Sequence, residues 1–303
     1  MQPRCRAPSA LGFAAFLILS GVVHGGAPGI WRTERILQKD DRVIKDRLHD
    51  KVFLDAVGAV WPYPLTRSAT GYDAATGHDA ATGFLIDRCH VLTNMHVVYT
   101  DATVANPPVG RPVAFAVGQT GSGKDRGALQ GLKFLLAGTV VARGDSIIVD
   151  HWVHNPDNDW ALIRLRQEVD DSIVPMTIAA IDLARLPAHF TLATAGFPTD
   201  HREMRGDGFR LKDLWGSDGQ LVGVVATNTA GAVIETTIQT TPGNSGGPIY
   251  GDFHGRRHIV VGMVQGIRGN GIDVSESMPN IQVLFTPHTL ARISAAQAAT
   301  PCQ

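Results

Sequence analysis

Short apolar runs separated by turns recur along most of the chain, and they restrict its fold more than any other feature of the sequence. Long amphipathic stretches of helical period are scarce, while 33 glycines and 17 prolines are available to form turns. This pattern favours many short strands over a helical bundle or over alternating strands and helices. The sequence therefore predicts an all-β fold.

The strand-like runs fall into two groups, and each group could close a small barrel. The first barrel is expected at about 52–170 and the second at about 175–285. Thr286 and Pro287 then predict a helix start, with a capping hydroxyl followed by proline at the first helical position, and the helix is expected over 287–299. The runs of the first group are 52–54, 57–60, two strands within 83–98, 113–117, 134–141, 146–149 and 160–165, and those of the second are 190–195, 221–226, 233–237, 247–250, 259–264 and 281–285.

The first residues have the layout of a secretory signal peptide, predicted at 1–25. Two arginines precede an apolar run from about residue 10 to 23, and small residues follow it. Cleavage is expected after Gly25, with Gly26 as the alternative site. The run is shorter than the ~20 residues that span a bilayer, so an uncleaved membrane anchor is the weaker alternative. The sequence thus predicts a secreted or periplasmic protein with no stable membrane anchor.

Cysteine content and charge limit the cross-links and partners. Removal of the signal peptide leaves Cys89 and Cys302, and an even pair in an exported chain suggests one disulfide, with two unpaired thiols as the alternative. The formal net charge of -1 provides no electrostatic basis for binding nucleic acid. We expect a monomer that has no nucleic-acid partner.

A serine flanked by glycines lies just before an apolar strand, in the segment 241–248 that reads TPGNSGGP. A nucleophilic serine must project from a tight turn, and Gly243 can adopt backbone angles that other residues avoid. The N–H groups of Gly243 and Ser245 could then point together and form an oxyanion hole. Gly246 and Gly247 would let a substrate backbone approach closely. An ordinary glycine-rich turn is the alternative interpretation of this segment.

A serine hydroxyl needs a base to take its proton, and histidine is the usual partner. Of the 12 histidines, His96 is the best candidate because two apolar strands within 83–98 deliver it to a turn. His90, between the same strands, is the competing candidate. The base needs an orienting carboxylate, and Asp159 is predicted because it enters the apolar strand 160–165. Asp157 is the alternative carboxylate.

The trio His96, Asp159 and Ser245 follows the chain order of trypsin and chymotrypsin, and about residues 52–298 resemble this superfamily of serine proteases. The resemblance implies two six-stranded antiparallel β-barrels with a short C-terminal helix, in a protease domain at 52–303. It also implies a serine endopeptidase that hydrolyses protein or peptide substrates through an acyl-enzyme. No cofactor and no metal ion are expected. A protease-fold binding protein without catalysis is the alternative function.

Two bacterial branches of the superfamily are the most similar to this sequence. The segments 92–98 and 242–248 resemble the HtrA-type protease domains, although no PDZ-like region follows the core. Asp40-Asp41-Arg42 and Thr240-Thr241 resemble the glutamyl endopeptidases.

Alignment on the serine implies where the specificity pocket lies. No carboxylate falls at its base, so selection of Lys or Arg is not expected. The glutamyl enzymes have a histidine where Val264 aligns, which argues against strict selection of Glu. An uncharged or small side chain is the predicted preference. The predicted pocket residues are Gln239, Thr240, Val264, Gln265 and Gly266.

The charged segment 26–51 is predicted to be a pro-segment or an N-terminal arm. Pancreatic-type proteases have an aspartate before the serine, which binds the newly released amino terminus. Asn244 stands in this place and carries no charge, so this activation route is not expected. Steric inhibition by the arm is the alternative route.

The segment 118–125, which reads GQTGSGKD, nearly matches a phosphate-binding loop. Asp125 occupies the place of the hydroxyl residue that would hold Mg²⁺, and its carboxylate would repel phosphate. The segment is therefore interpreted as a flexible loop.

Overall fold

Strands dominate the computed structural model, which describes residues 30–32, 43–44, 53–62, 66–68, 71–73, 81–99, 108–117, 134–145, 148–149, 152–153, 158–187, 190–198, 203–205, 208–210, 214–228, 231–253, 255–269 and 280–303. The strands are β1 (Ile30–Arg32), β2 (Val43–Ile44), β3 (Val57–Trp61), β4 (Thr66–Ser68), β5 (Gly71–Asp73), β6 (Ala81–Leu85), β7 (His90–Thr93), β8 (Pro112–Val117), β9 (Phe134–Arg143), β10 (Ile148–Val149), β11 (Trp152–Val153), β12 (Ala161–Leu165), β13 (Thr191–Gly196), β14 (Glu203–Arg205), β15 (Gly208–Arg210), β16 (Trp215–Thr227), β17 (Ala232–Thr236), β18 (Pro248–Phe253), β19 (Arg256–Gly269) and β20 (Asn280–Leu284). The helices are α1 (Met95–Val98) and α2 (Pro287–Ala299), with a 3₁₀ turn at Leu183–Arg185.

Six strands close the first barrel in the order β3-β6-β7-β12-β9-β8, and every neighbouring pair is antiparallel. Side chains such as Phe84, Leu92, Phe115 and Ile163 are fully buried in its core. Closure leaves no unpaired edge within the ring. Apolar runs of four to six residues are long enough to form such a small barrel.

The second barrel closes in the order β13-β16-β17-β20-β19-β18 and is also antiparallel. Its core includes the buried side chains of Leu192, Ile234, Ile249 and Leu284. The prediction of two six-stranded antiparallel barrels is therefore confirmed.

Two strand-like runs do not belong to the first barrel, so their prediction was wrong. Phe53 and Leu54 lie in a helical turn ahead of β3. Ile148 and Val149, the described part of the run 146–149, pair with β11 in a separate two-stranded sheet. The ring already closes with six strands, so it offers no edge to these runs.

The described parts of the N-terminal arm extend the second barrel. Strand β1 pairs with the end of β19, and β2 pairs with Trp215 and Gly216 of β16. The predicted signal peptide at 1–25, the phosphate-loop-like segment 118–125 and Asp157 lie outside the described residues.

The C-terminal helix α2 begins as predicted. The Thr286 hydroxyl accepts a hydrogen bond from the Thr289 N–H at 3.2 Å, and Pro287 occupies the first turn. Beyond the helix, Cys302 forms a disulfide with Cys89, in agreement with the predicted pairing, and the two Cα atoms are 5.8 Å apart. The bond ties the end of the chain to the first barrel. Neither helix in the described ranges has the length and apolar character needed to cross a bilayer.

The turn before β7 carries a carboxylate that stays ionised to low pH. Burial by itself would raise the pKa of Asp87, but hydrogen bonds from His90, from the Cys89 N–H and from Gln297 outweigh it and hold the pKa at about 2. This carboxylate lies next to the disulfide.

Candidate active site

Strand register brings His96 and Asp159 to the same end of the first barrel. Strands β7 and β12 are antiparallel, and Thr93, the last residue of β7, is paired with Ala161, the first residue of β12. The residues that follow β7 and those that precede β12 must therefore lie together. His96 is in α1 directly after β7, and Asp159 comes two residues before β12.

The imidazole of His96 and the carboxylate of Asp159 form a close pair. His96 Nδ1 is 2.5 Å from Asp159 Oδ2, and the His96 backbone N–H donates to Asp159 Oδ1 at 3.0 Å. The carboxylate is fully buried, whereas 22 % of the imidazole side chain is exposed. A carboxylate in this position holds the Nδ1–H tautomer and leaves Nε2 as the basic nitrogen.

Two buried amides, Gln265 and Asn94, complete the surroundings of this carboxylate. Gln265 Nε2 donates to Asp159 Oδ2 at 2.7 Å. Asn94 Nδ2 donates to Gln265 Oε1 at 3.0 Å and to the Asp159 carbonyl at 2.9 Å. Because Asn94 donates to Gln265 Oε1, the Nε2 group of Gln265 must face the carboxylate. Sequence reasoning missed Asn94, although a polar residue between β7 and α1 was an available signal.

The serine predicted as nucleophile lies beside a tight turn. The Asn244 N–H donates to the Thr241 carbonyl at 3.0 Å, and Gly243, at the third position of this turn, has a φ of 99°. These features define a type II turn, which favours glycine at that position. Ser245 follows the turn directly, and 8 % of it is exposed.

Contacts across the two barrels attach this turn to β6, and the neighbouring strand β7 leads toward His96. The Thr82 N–H donates to the Ser245 carbonyl at 3.0 Å, and the Thr82 hydroxyl donates to the Gly243 carbonyl at 2.6 Å. The Thr93 hydroxyl in turn donates to the Thr82 carbonyl at 2.7 Å. Thr93 precedes His96 by three residues, so Ser245 and His96 are both positioned from one rim of the first barrel. The sequence did not indicate this role of Thr82.

Gly246 has a positive φ of 80° and lies against the first barrel, so we expect Gly246→Ala to be severely destabilising. A Cβ there would overlap the Thr82 carbonyl oxygen and the Thr93 hydroxyl. The expected loss is about 3 kcal/mol in the free energy of unfolding, from overpacking together with backbone strain, and is measured by urea denaturation.

Gly255→Ala is the matched control for this substitution. Gly255 has a similar φ of 76°, but an added Cβ would meet no atom within 4 Å. Its loss should be about 1 kcal/mol, from backbone strain alone. Equal losses for the two variants would contradict the steric explanation.

Hydrogen bonds place the predicted pocket strand next to the serine. The Gly246 N–H donates to the Val264 carbonyl at 3.1 Å, and the Val264 N–H donates to the Gly247 carbonyl at 2.9 Å. Val264 is buried in the core of the second barrel. Gln265 and Gly266 follow it in β19, and the side chain of Gln265 faces Asp159.

The two residues predicted at the base of the pocket are buried. The Gln239 N–H donates to Ser217 Oγ at 2.9 Å. The Thr240 hydroxyl is fully buried, and it has no hydrogen-bond partner among the residues that the structure describes. Neither side chain carries a charge.

The competing base, His90, is the first residue of β7, and its side chain is buried. Only 1 % of its side chain is exposed, and its Nδ1 is 2.7 Å from Asp87 Oδ2. Its Nε2 contacts the Thr300 hydroxyl at 3.1 Å. Both ring nitrogens are thus occupied within the protein, which leaves His96 as the more accessible of the two imidazoles.

Comparison with known proteins identifies relatives at the level of family and fold. The family model described as Trypsin matches residues 60–283. No curated protein matches the sequence.

Solved structures extend the likeness over most of the chain. A structure of Glu endopeptidase in complex with MPD is 17% identical, with a TM-score of 0.55, and the match covers 87% of this chain and 99% of that one. A crystal structure of an inactive serine-to-alanine mutant of Rv3671c from M. tuberculosis is 16% identical, with a TM-score of 0.47, and covers 88% of this chain and 100% of that one. At this level of identity, the first likeness supports the fold only.

Proposed function

The chain belongs to the trypsin family of serine proteases, and from this premise we propose that it is a secreted serine endopeptidase whose catalytic residues are Ser245, His96 and Asp159. The observation that carries the proposal is the contact of 2.5 Å between His96 Nδ1 and the buried carboxylate of Asp159. A buried carboxylate is costly unless it is well paired, and an imidazole oriented in this way has the form of a general base. A protein or peptide is the proposed substrate.

The proposed reaction is acyl transfer to water. His96 Nε2 takes the proton from the Ser245 hydroxyl, and the oxygen attacks the peptide carbonyl. The N–H groups of Gly243 and Ser245 stabilise the oxyanion, an assignment that the type II turn at Gly243 supports. His96 then protonates the leaving amine, and water repeats the sequence on the acyl-enzyme. Every step uses side chains and amides of this chain.

The proposed pocket selects an uncharged or small side chain. Gln239 and Thr240 form its base, and the strand of Val264, Gln265 and Gly266 lines it. The buried, uncharged side chains of Gln239 and Thr240 support this preference. We also propose export through the signal peptide at 1–25 and a monomeric enzyme of residues 52–303 preceded by the arm at 26–51.

A fluorophosphonate probe tests the nucleophile, because it labels activated serines and leaves ordinary ones unmodified. We expect the mature protein to be labelled once and Ser245→Ala not to be labelled. Ser172→Ala, at an exposed serine in the segment after the first barrel, is the control and should be labelled normally. A wild-type protein that remains unlabelled, yet retains unmodified peptides in a pull-down, would support the binding-protein alternative.

Gln265 is predicted to act as a positioning residue for Asp159. Gln265→Met keeps a side chain of similar length but removes the donor to Asp159 Oδ2 and the acceptor for Asn94. A hydrogen bond to a charged group is worth about 1.5–3 kcal/mol, so kcat should fall at least about tenfold with little change in KM. Fluorescent casein is a suitable substrate.

Gln282→Met is the control for this substitution. Gln282 is also a fully buried amide, and it donates to the Thr236 hydroxyl at 3.1 Å. Loss of this amide should lower Tm but leave kcat and KM on fluorescent casein unchanged. A Gln265→Met protein that keeps the wild-type kcat would show that Gln265 has only a structural role.

A further inference from the structure

Four side chains with metal-binding atoms meet at the disulfide, which two of them form. The proposed reaction uses none of the four. They are Asp87, Cys89, His90 and Cys302, and their ligand atoms all lie within 4.8 Å of one another. Asp87 and Cys89 lie in the turn between β6 and β7, and His90 is the first residue of β7. Cys302 lies in the C-terminal tail. The sequence predicted no metal site, because the cluster exists only once the tail has folded back onto this turn.

The imidazole of His90 contacts two of the other three residues in the cluster. Its Nδ1 is 2.7 Å from Asp87 Oδ2 and 3.4 Å from Cys89 Sγ. Cys302 Sγ is 3.7 Å from Asp87 Oδ1. The His90 side chain is only 1 % exposed, whereas the Asp87 side chain is 33 % exposed, so the cluster lies where the protein interior meets solvent.

Surrounding hydrogen bonds hold the side chains of His90 and Asp87 in place. The Thr300 hydroxyl donates to the Ala296 carbonyl at 2.8 Å, so it can accept from His90 Nε2–H at 3.1 Å. This contact leaves Nδ1 facing the cluster. Gln297 Nε2 donates to Asp87 Oδ2 at 2.7 Å and fixes the carboxylate. Metal-binding histidines and carboxylates commonly have outer partners of this kind.

We propose that reduction of the Cys89–Cys302 bond creates a tetrahedral Zn²⁺ site with Asp87, Cys89, His90 and Cys302 as ligands. Two thiolates, one imidazole and one carboxylate suit Zn²⁺ in both number and chemical type. In a zinc site the two sulfurs would lie about 3.8 Å apart, since each Zn–S bond is about 2.3 Å long. Opening the disulfide provides that separation.

The chemical steps balance with a dithiol as reductant. The dithiol supplies two electrons and two protons and is oxidised to its own disulfide, while the bond between Cys89 and Cys302 breaks to give two thiols. Zn²⁺ then displaces one proton from each thiol and binds the two thiolates. Binding of His90 Nδ1 and Asp87 Oδ2 to the metal releases the proton of the hydrogen bond between them to solvent. The metal therefore replaces the covalent link and keeps the tail attached under reducing conditions.

Metal titration of the full chain tests this site. The Ser245→Ala protein avoids self-digestion, and it is reduced with a dithiol that is then removed without air. We expect the reduced protein to bind one Zn²⁺ and the oxidised protein to bind none at this site. Co²⁺ in place of Zn²⁺ should produce the thiolate charge-transfer bands and the strong visible absorption of a tetrahedral site. A reduced protein that binds no more metal than the oxidised one would overturn the proposal.

Variants in the same background identify the ligands. Cys302→Ser and His90→Asn should each weaken Zn²⁺ binding at least tenfold, whereas His288→Asn, on the exposed face of α2, should bind as before. Cys302 lies in the tail beyond α2, so its variant keeps the barrels intact even where His90→Asn fails to fold. Unchanged Zn²⁺ affinity in reduced Cys302→Ser would exclude the site. Far-ultraviolet circular dichroism checks the fold of each variant.

Discussion

His96→Ala is expected to lower kcat on fluorescent casein on the order of 10⁶-fold, the scale seen when a triad base is removed. Nδ1 of the imidazole is hydrogen-bonded to the carboxylate of Asp159, so Nε2 remains to accept the proton of Ser245. Without that base the serine hydroxyl is a weak nucleophile near neutral pH. Labelling by the fluorophosphonate should be lost together with hydrolysis.

Two controls make this result specific to His96. His288→Ala, at an exposed histidine on α2, should keep wild-type rates. The His96→Ala protein should also keep a cooperative thermal transition, because the imidazole is partly exposed and Asp159 keeps its hydrogen bonds from Gln265 and from the backbone N–H of residue 96. Residual activity above about one-hundredth of the wild-type value would reject His96 as the base.

The fold was predictable because each barrel strand carries its own apolar run. Runs such as 113–117 and 281–285 have no helical period, and both became barrel strands. The failures at 52–54 and 146–149 have one cause: a closed ring accepts six strands, and local apolarity cannot show which run is surplus. Strand β16 begins six residues before its predicted run, because Trp215 and Gly216 pair with both β13 and β2.

The base and the carboxylate of the candidate site were predictable, because few residue types can perform either task. The His96–Asp159 contact follows from strand order, since Thr93 and Ala161 are register partners. The roles of Gln265 and Asn94 were not predictable, because they depend on side chains that meet only after both barrels have formed. An amide in a strand has many possible partners, and the sequence does not distinguish among them.

Asp159→Asn is expected to lower kcat about 10⁴-fold while changing the volume of the side chain very little. If the new NH₂ group takes the place of Oδ2, it faces two donors, His96 Nδ1–H and Gln265 Nε2. If it takes the place of Oδ1, it faces the His96 backbone N–H. In the first orientation His96 must carry its proton on Nε2, where it cannot accept one from Ser245. The rate is measured on fluorescent casein, and Tm should fall as well.

Adding Gln265→Glu to Asp159→Asn separates the structural effect from the catalytic one. The new carboxylate can accept from the NH₂ group at position 159 and from Asn94 Nδ2, so the donor conflict with position 265 disappears and the buried charge is conserved. Tm should therefore recover toward the wild-type value. Position 159 still presents an NH₂ group to His96 Nδ1, which keeps the wrong tautomer, so kcat should remain at least about 10³-fold below wild type. Recovery of both Tm and kcat would mean that a carboxylate at either position orients His96, and the role assigned to Asp159 would then be wrong.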